Sequence, residues 1–412
     1  MADEGANLAG VKVDQEHCDF VDIIELGFLE KVEDPVTLTS PFFPSKIGGK
    51  PAWLALSELP SQILCKICEK PLVFLLQVYT PADDEKSPAY HRTVFVFCCR
   101  NGSCYKSNCN KSLKAFRCEL PRSNDFYPAV SSFQDQDKIF QEFKDKKAGA
   151  GASWTKLCEV CGCRGEKLCS KCRQVSYCSR DHQTVDWKTG HKLVCGNAEQ
   201  QRQPGAIHDK TTVVELRFAF IGSPGKVSNV LFPEFELVTE PEEIDGEIQE
   251  CGNENDMEKY KDILKDNEKD NAGAKNDWDS LEAESKKIND VVEDKTYCEF
   301  KKRISYEPEQ VLRYQQHGNP LWVSKLNIPK ETDIPKCSCG ATRTFEFQIL
   351  PQLLNNMNCD SLGASIDWGT LAVYTCSRNC NSNGTSYYEE FVWKQDFSET
   401  GLPADILSQL QK

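Results

Sequence analysis

Thr93-Val94-Phe95-Val96-Phe97-Cys98-Cys99-Arg100-Asn101-Gly102-Ser103-Cys104 and Leu371-Ala372-Val373-Tyr374-Thr375-Cys376-Ser377-Arg378-Asn379-Cys380 follow one plan. Each is a run of β-branched and aromatic residues, the composition of a strand, and each ends in two closely spaced cysteines. Upstream, the matches continue in order. Phe74-Leu75-Leu76-Gln77-Val78 corresponds to Phe345-Glu346-Phe347-Gln348-Ile349. Cys65-x2-Cys68 corresponds to Cys337-x-Cys339, and Pro51-Ala52-Trp53-Leu54 to Pro320-Leu321-Trp322-Val323. Downstream, Phe391-Val392-Trp393 stands where Phe116-Arg117-Cys118 stood. This shared order predicts an internal duplication, two β lobes packing as a pseudo-symmetric body. The period is too long for a solenoid.

Each copy has one cysteine pair on a turn before a strand and a second pair after another strand. Short spacings let one tight turn deliver two ligands, and two such turns complete a tetrahedral zinc site. The expected ligands are Cys65, Cys68, Cys99 and Cys104 in the first lobe. In the second they are Cys337, Cys339, Cys376 and Cys380. Adjacent strand residues face opposite ways, so only one of Cys98 and Cys99 can meet the metal. The repeat aligns Cys99 with Cys376 and leaves Cys98 as the alternative. The competing reading is buried apolar cysteine, a common fate. Four pairs in matching positions argue against it.

Between the copies lies Cys158-x2-Cys161-x7-Cys169-x2-Cys172-x5-Cys178-x3-His182-x8-His191-x3-Cys195. Eight soft ligands in four close pairs make two zinc sites, and spacing alone does not say which pairs combine. The stretch resembles a MYND zinc finger. Tyr177, the run Gln183-Thr184-Val185-Asp186-Trp187-Lys188 and the ending His191-x3-Cys195 extend the resemblance. His182 stands where many such fingers carry Cys. The resemblance implies interleaved sites: Cys158, Cys161, Cys178 and His182 hold one zinc; Cys169, Cys172, His191 and Cys195 hold the other. MYND fingers elsewhere bind proline-rich peptides, which makes Gln183 and Trp187 peptide-binding candidates. The plainer reading of Trp187 is packing between the zinc hairpins. Cys163, between pairs, reads as a spare thiol.

The 412-residue chain has room for two or three domains, and its 39% hydrophobic content can supply a core. Its acidic start, Met1-Ala2-Asp3-Glu4-Gly5, is not a secretory signal. No apolar run reaches the roughly 18 residues needed to span a membrane. The 22 cysteines therefore point to a reducing compartment and metal rather than disulfides. The net charge of −14 argues against direct nucleic-acid binding, which needs a basic surface. Residues 234–299 hold 23 acidic and 8 basic residues, a local net of −15 that accounts for the whole excess. That segment is either a solvated linker or an acidic arm for a basic partner.

The expected fold class is α+β, mainly β: two duplicated zinc-binding β lobes, an inserted MYND finger and an acidic linker. In order, residues 1–20 form a tail and 21–128 the N-terminal lobe. Residues 129–153 are a linker and 154–196 the finger. An insertion and acidic linker with partial helix occupies 197–302. The C-terminal lobe spans 303–398, with a tail at 399–412. Strands are expected from Ile23 to Phe28, Thr212 to Ile221 and Leu231 to Val238. Helical periodicity runs from Trp278 to Phe300, and Glu307 to Tyr314 reads as a short helix with Pro308 in its first turn.

The whole chain resembles the programmed cell death protein 2 family. The residues that carry this include Glu25-Leu26-Gly27-Phe28, Phe43 to Leu54, Leu120 to Tyr127, the finger, Pro351-Gln352-Leu353-Leu354-Asn355, Ser365-Ile366-Asp367-Trp368-Gly369 and Glu389 to Gln395. Residues 206–229 match nothing in the family. The resemblance implies a dedicated chaperone or adaptor in 40S ribosome biogenesis, in cytoplasm and nucleus. Its implied client is the small-subunit ribosomal protein numbered two in eukaryotes. An open sheet edge could take up a client strand by main-chain pairing. The alternative function is a MYND-type adaptor in transcriptional or apoptotic regulation. No enzyme is expected. The sequence has no His-Glu-x-x-His and no nucleophile elbow, and four-ligand zinc sites leave no open position for a reacting water.

Overall fold

The computed structural model describes residues 23–82, 84–127, 154–195, 230–243, 295–359, 364–381 and 385–398, with Ile139, Glu142 and Asp145 besides. The expected strand at Thr212–Ile221, residues 206–229 and most of the acidic segment lie outside them. No helix among them is long and apolar enough to cross a membrane.

Ten strands close one antiparallel barrel. In chain order they are β1 (Glu25–Glu30), β2 (Lys46–Ile47), β3 (Val73–Tyr79), β4 (His91–Cys98), β5 (Leu113–Leu120), β8 (Phe235–Pro241), β9 (Leu312–Tyr314), β10 (Arg343–Ile349), β11 (Thr370–Cys376) and β12 (Tyr387–Gln395). The finger supplies a small hairpin of β6 (Lys167–Leu168) and β7 (Ser176–Tyr177), then helices α1 (Arg180–Asp186) and α2 (Lys192–Val194) joined by a π turn at Trp187–His191. Helix α3 (Lys295–Tyr306) precedes β9.

The strands of the two expected lobes are hydrogen-bonded into this single barrel. One seam joins β5 to β12, with Ala115 opposite Glu390 and Cys118 opposite Tyr387. The other joins β1 to β9, with Gly27 opposite Leu312. β8 fills the gap between β1 and β2. Closure removes the open edge expected for client-strand pairing, because the described barrel strands all have partners on both sides. Closure also corrects the reading of Glu307–Tyr314. Its last three residues are β9, hydrogen-bonded to both β1 and β10, so tertiary pairing overrides a local helical pattern.

β4 is buried along its whole length, because both its faces are covered. One face lines the lumen, where Val94 and Val96 join Leu237, Leu312, Phe347, Ile349, Val373 and Val392 in an apolar plug. The other face carries Phe95 and Phe97, and Trp53 lies on them with ring centroids 5.0 and 5.6 Å away. Trp53 is 1% exposed, as expected of a core residue. The Gly48–Gly49 turn that delivers it needs left-handed backbone; at Gly48 (φ +66°) a Cβ would lie 1.8 Å from the Pro233 carbonyl oxygen.

One end of the lumen is charged. Arg92 on β4 reaches across to Glu346 on β10 through two guanidinium N–H groups, one at 2.8 Å. Thr375 also donates to Glu346. Arg117 on β5 is bonded to Glu119 and, at 2.8 Å, to Glu390 on β12. These side chains are almost fully buried. Charges at this depth persist only when paired and hydrogen-bonded.

Candidate metal centres

Turns at strand ends bring the cysteines together. The Cys65–Lys70 turn precedes β3, and the Cys99–Tyr105 turn follows β4, closed by Cys104 N–H to the Asn101 carbonyl at 2.9 Å. In the second half, Gly340 N–H closes the Cys337 turn at 2.8 Å and Asn379 N–H the Cys376 turn at 3.1 Å. The ligand atoms of Cys65, Cys68, Cys99 and Cys104 all lie within 4.8 Å of one another, as do those of Cys337, Cys339, Cys376 and Cys380. Cys98 is elsewhere, fully buried, its thiol pushed up to about 12 by burial.

The finger forms two further clusters of the same compactness: Cys158, Cys161, Cys178 and His182, and Cys169, Cys172, His191 and Cys195. In α1, Ser179 caps the helix by accepting the His182 N–H at 3.2 Å, which aims the His182 ring back at the first hairpin. His182 Nδ1 is then 3.1 Å from Cys178 Sγ and 3.6 Å from Cys158 Sγ. The π turn carries His191 past Trp187, so Nε2 sits 3.3 Å from Cys169 Sγ and 3.5 Å from Cys172 Sγ.

These distances suit zinc. Four sulfurs about 2.3 Å from a central ion are about 3.8 Å apart at tetrahedral corners. The Sγ pairs span 3.7 Å (Cys68–Cys99), 3.6 Å (Cys161–Cys178), 3.8 Å (Cys169–Cys195), 3.4 Å (Cys337–Cys380) and 3.6 Å (Cys339–Cys376). A disulfide would need about 2.0 Å, and the described cysteines are free. Without a cation, burial and the neighbouring thiols push Cys195 up to about 11 and Cys380 up to about 12. A metal must therefore displace protons, which makes loading pH-dependent. With four protein ligands each, the clusters suit structural zinc.

Gln183 and Trp187 are both half-buried. Trp187 meets His191 edge-on at 5.8 Å, so its ring braces a metal ligand. Tyr177 donates to Asp186 at 2.5 Å and ties the hairpin to α1.

The finger is docked on the barrel, a feature sequence reasoning missed. Trp53 Nε1 donates to the Gly162 carbonyl at 2.7 Å. Lys50 Nζ reaches the Glu159 carbonyl at 2.7 Å, and Thr155 N–H the Leu56 carbonyl at 2.7 Å. Val160, Cys163 and Tyr177 are buried in the same apolar cluster as the outer barrel face. Cys163, read as a spare thiol, is thus a packing residue. Gly162 has φ +70°, and a Cβ there would lie 2.9 Å from Lys50 Cβ.

A second missed feature is a groove of about 450 Å³ on the outer face of β1 and β8. Its floor is the cross-strand pair Phe28 and Val238, and its rim is Glu30, Glu240, Glu307 and Glu309. No cation lines it. None of these four carboxylates has an ion-pair partner among the described residues. The signal available in sequence was the near-absence of Lys and Arg from Glu25–Asp34 and Glu234–Glu243.

Residues 23–134 match the model of the Programmed cell death protein 2 N-terminal domain, and residues 294–396 that of its C-terminal putative domain. Residues 158–195 match the MYND finger. The chain is similar to Programmed cell death protein 2 of Rattus norvegicus, 43% identical over 92% of this chain and 97% of the relative. It is 26% identical to Programmed cell death protein 2-like of Homo sapiens, over 85% of this chain and 90% of that protein. Over a quarter of its length it is 35% identical to the Probable 20S rRNA accumulation protein 4 of Schizosaccharomyces pombe, covering 28% of that protein. No solved structure matches. The chain belongs to the programmed cell death protein 2 family.

Proposed function

We propose that this protein is a dedicated, non-enzymatic chaperone for a basic protein of the small ribosomal subunit, the one numbered two in eukaryotes, and works in 40S biogenesis in cytoplasm and nucleus. The name of the fission-yeast relative supports a role connected with ribosomal RNA. The observation that carries the client chemistry is the groove of Phe28 and Val238 rimmed by four glutamates that have no ion-pair partner among the described residues. A cationic segment with one apolar residue between basic ones would find both its charge and its apolar side chain matched there. With the barrel closed, this reading uses a side-chain groove in place of strand addition.

The proposal includes four structural zinc ions, two in the finger and one at each end of the barrel, held by the four clusters described above. It also treats the two halves as copies of one unit. Two correspondences support that reading. A β-bulge falls at Leu75 in β3 and at Glu346 in β10. Gln77 brackets the backbone of Ala52 with its amide, and Gln348 brackets Leu321 in the same way.

The competing adaptor reading places a proline-rich peptide at Gln183 and Trp187. The contact of Trp187 with His191 leaves less of that ring to offer. Affinity purification from cells followed by mass spectrometry separates the readings. A dominant ribosomal protein, lost in Glu30→Lys/Glu240→Lys/Glu309→Lys and kept in Trp187→Ala, is expected. Recovery of chromatin corepressors, lost on Trp187→Ala, would replace the chaperone reading with the adaptor.

A further inference from the structure

The two barrel cysteine clusters differ in what surrounds them. At the first, the N–H groups within hydrogen-bond reach of sulfur come from its own turns: Ile67 to Cys65 and Asn101 to Cys99, each at 3.4 Å. At the second, an arginine from the other half of the chain arrives. Arg117 Nη2 donates to the Cys380 carbonyl at 3.2 Å and lies 3.8 Å from Cys380 Sγ. Its Nε donates to Glu390, and Glu390 in turn accepts the Cys376 N–H at 3.2 Å and Arg343 Nε at 2.7 Å. Arg343 donates onward to the Pro335 and Lys336 carbonyls at 2.7 and 2.8 Å, just before Cys337. Arg92 Nε donates to Asn379 Oδ1 at 3.2 Å, inside the Cys376–Cys380 turn. Both turns of the second cluster are therefore held by one buried chain of charges whose arginines Arg92 and Arg117 stand on β4 and β5.

We propose that the C-terminal metal centre fastens the β5–β12 seam: Arg117 is its positioning residue, and the centre holds its metal tightly only while the two halves of the barrel are closed on each other. The physical reason is charge. Four thiolates on one Zn2+ leave a net −2, and burying that charge needs nearby donors. An arginine N–H directed at a ligand sulfur supplies one while its other N–H groups hold Glu119 and Glu390. Outer-shell partners of this kind typically contribute about 10–100-fold in metal affinity. The coupling runs both ways: metal keeps the Cys376 and Cys380 turn in place for Arg117, and Arg117 keeps β5 against β12. Among the described residues the first cluster has no such donor in its sulfur contacts, and it is expected to hold metal independently of the seam.

The test uses the full chain loaded with zinc and treated with N-ethylmaleimide under native conditions, with each cysteine followed by peptide mass spectrometry. In Arg117→Lys the charge is kept, but a single ammonium cannot serve Glu119, Glu390 and Cys380 together. Alkylation of Cys337, Cys339, Cys376 and Cys380 is expected to accelerate at least tenfold, with Cys65, Cys68, Cys99, Cys104 and the finger ligands unchanged. Asn379→Gly keeps the left-handed turn (φ 44° at Asn379) and removes the acceptor of Arg92; a smaller acceleration at the same four cysteines is expected. A Val373→Ala lumen variant controls for general loosening, and should not single out those four. Should Arg117→Lys fail to fold, Asn379→Gly decides. Unchanged protection of the four cysteines in a folded variant, or equal acceleration at all clusters, would overturn the proposal.

Discussion

Removing the carboxylate of Glu346 should be among the most damaging single changes to this barrel. Glu346 is fully buried at the β10 bulge, where it accepts two N–H groups of Arg92 and the hydroxyl of Thr375. Arg92 itself is 3% exposed, and its remaining carboxylate, Glu119, is 3.5 Å away and already shared with Arg117. Glu346→Leu therefore strands a guanidinium in the lumen. Breaking a buried pair in this way costs about 3–5 kcal/mol, whereas replacing both partners with apolar side chains is often neutral. For a domain of this size each kcal/mol lowers the midpoint by about 2–4 °C, so a drop of roughly 6–20 °C is expected. The measurement is a double-mutant cycle in thermal and urea unfolding on zinc-loaded protein: Glu346→Leu, Arg92→Met and both together. The double variant should recover most of the loss. If Glu346→Leu costs under about 1 kcal/mol, or if the double variant is as damaged as the sum of the singles, the reasoning from uncompensated charge fails.

Three further outcomes are expected. Metal analysis of pure protein should give about four zinc ions and Cys339→Ser should aggregate, since a structural site contributes about as much as a domain's net stability; a count near two would remove the barrel sites. Burial lowers His91 from its ordinary 6.5 to about 4, with the Arg122 charge adding to the shift. The unfolded chain therefore takes up a proton first as pH falls. Stability should decline from about pH 6.5 toward 4, and His91→Phe, stacked on Phe43 as His91 is at 4.2 Å, should flatten that part of the profile relative to wild type. Gly162→Ala puts a side chain at φ +70° and against Lys50, costing about 1–2 kcal/mol; hydrogen exchange should rise where the finger meets Trp53, while finger zinc content stays unchanged.

The close cysteine pairs were legible because metal-ligand spacing is a local property of turns; which pairs of the finger share a metal came only from the resemblance to MYND fingers. So were most strand positions: β3, β4 and β11 are long runs of β-formers, and β-branched and aromatic residues have few other uses at that density. Barrel closure was not legible. It depends on Gly27 meeting Leu312 and on β8 slotting beside β1, pairings that leave no local mark. β9 was misread for the same reason, since three residues after Glu307-Pro308 are too few to show a strand period. Arg117 and Glu119 were invisible as lumen residues because alternation along β5 looks the same whether the polar side faces water or a buried partner. The docking of the finger hangs on an indole N–H and one backbone carbonyl, and a carbonyl has no letter in the sequence.

The way the barrel closes also sets a timetable for synthesis. β1 is made long before its partners, which lie at Phe235–Pro241 and Leu312–Tyr314. At about 5–20 residues per second, β1 waits on the order of 15–60 s for β9. Until β8 is made Leu26 and Leu29 have no strand to pair with, whereas Cys65, Cys68, Cys99 and Cys104 have all been made well before β8 and can already take up a metal. The first cluster can thus hold β3 and β4 together long before the seams exist. The cell must keep an unfinished half-barrel soluble until the last strands arrive.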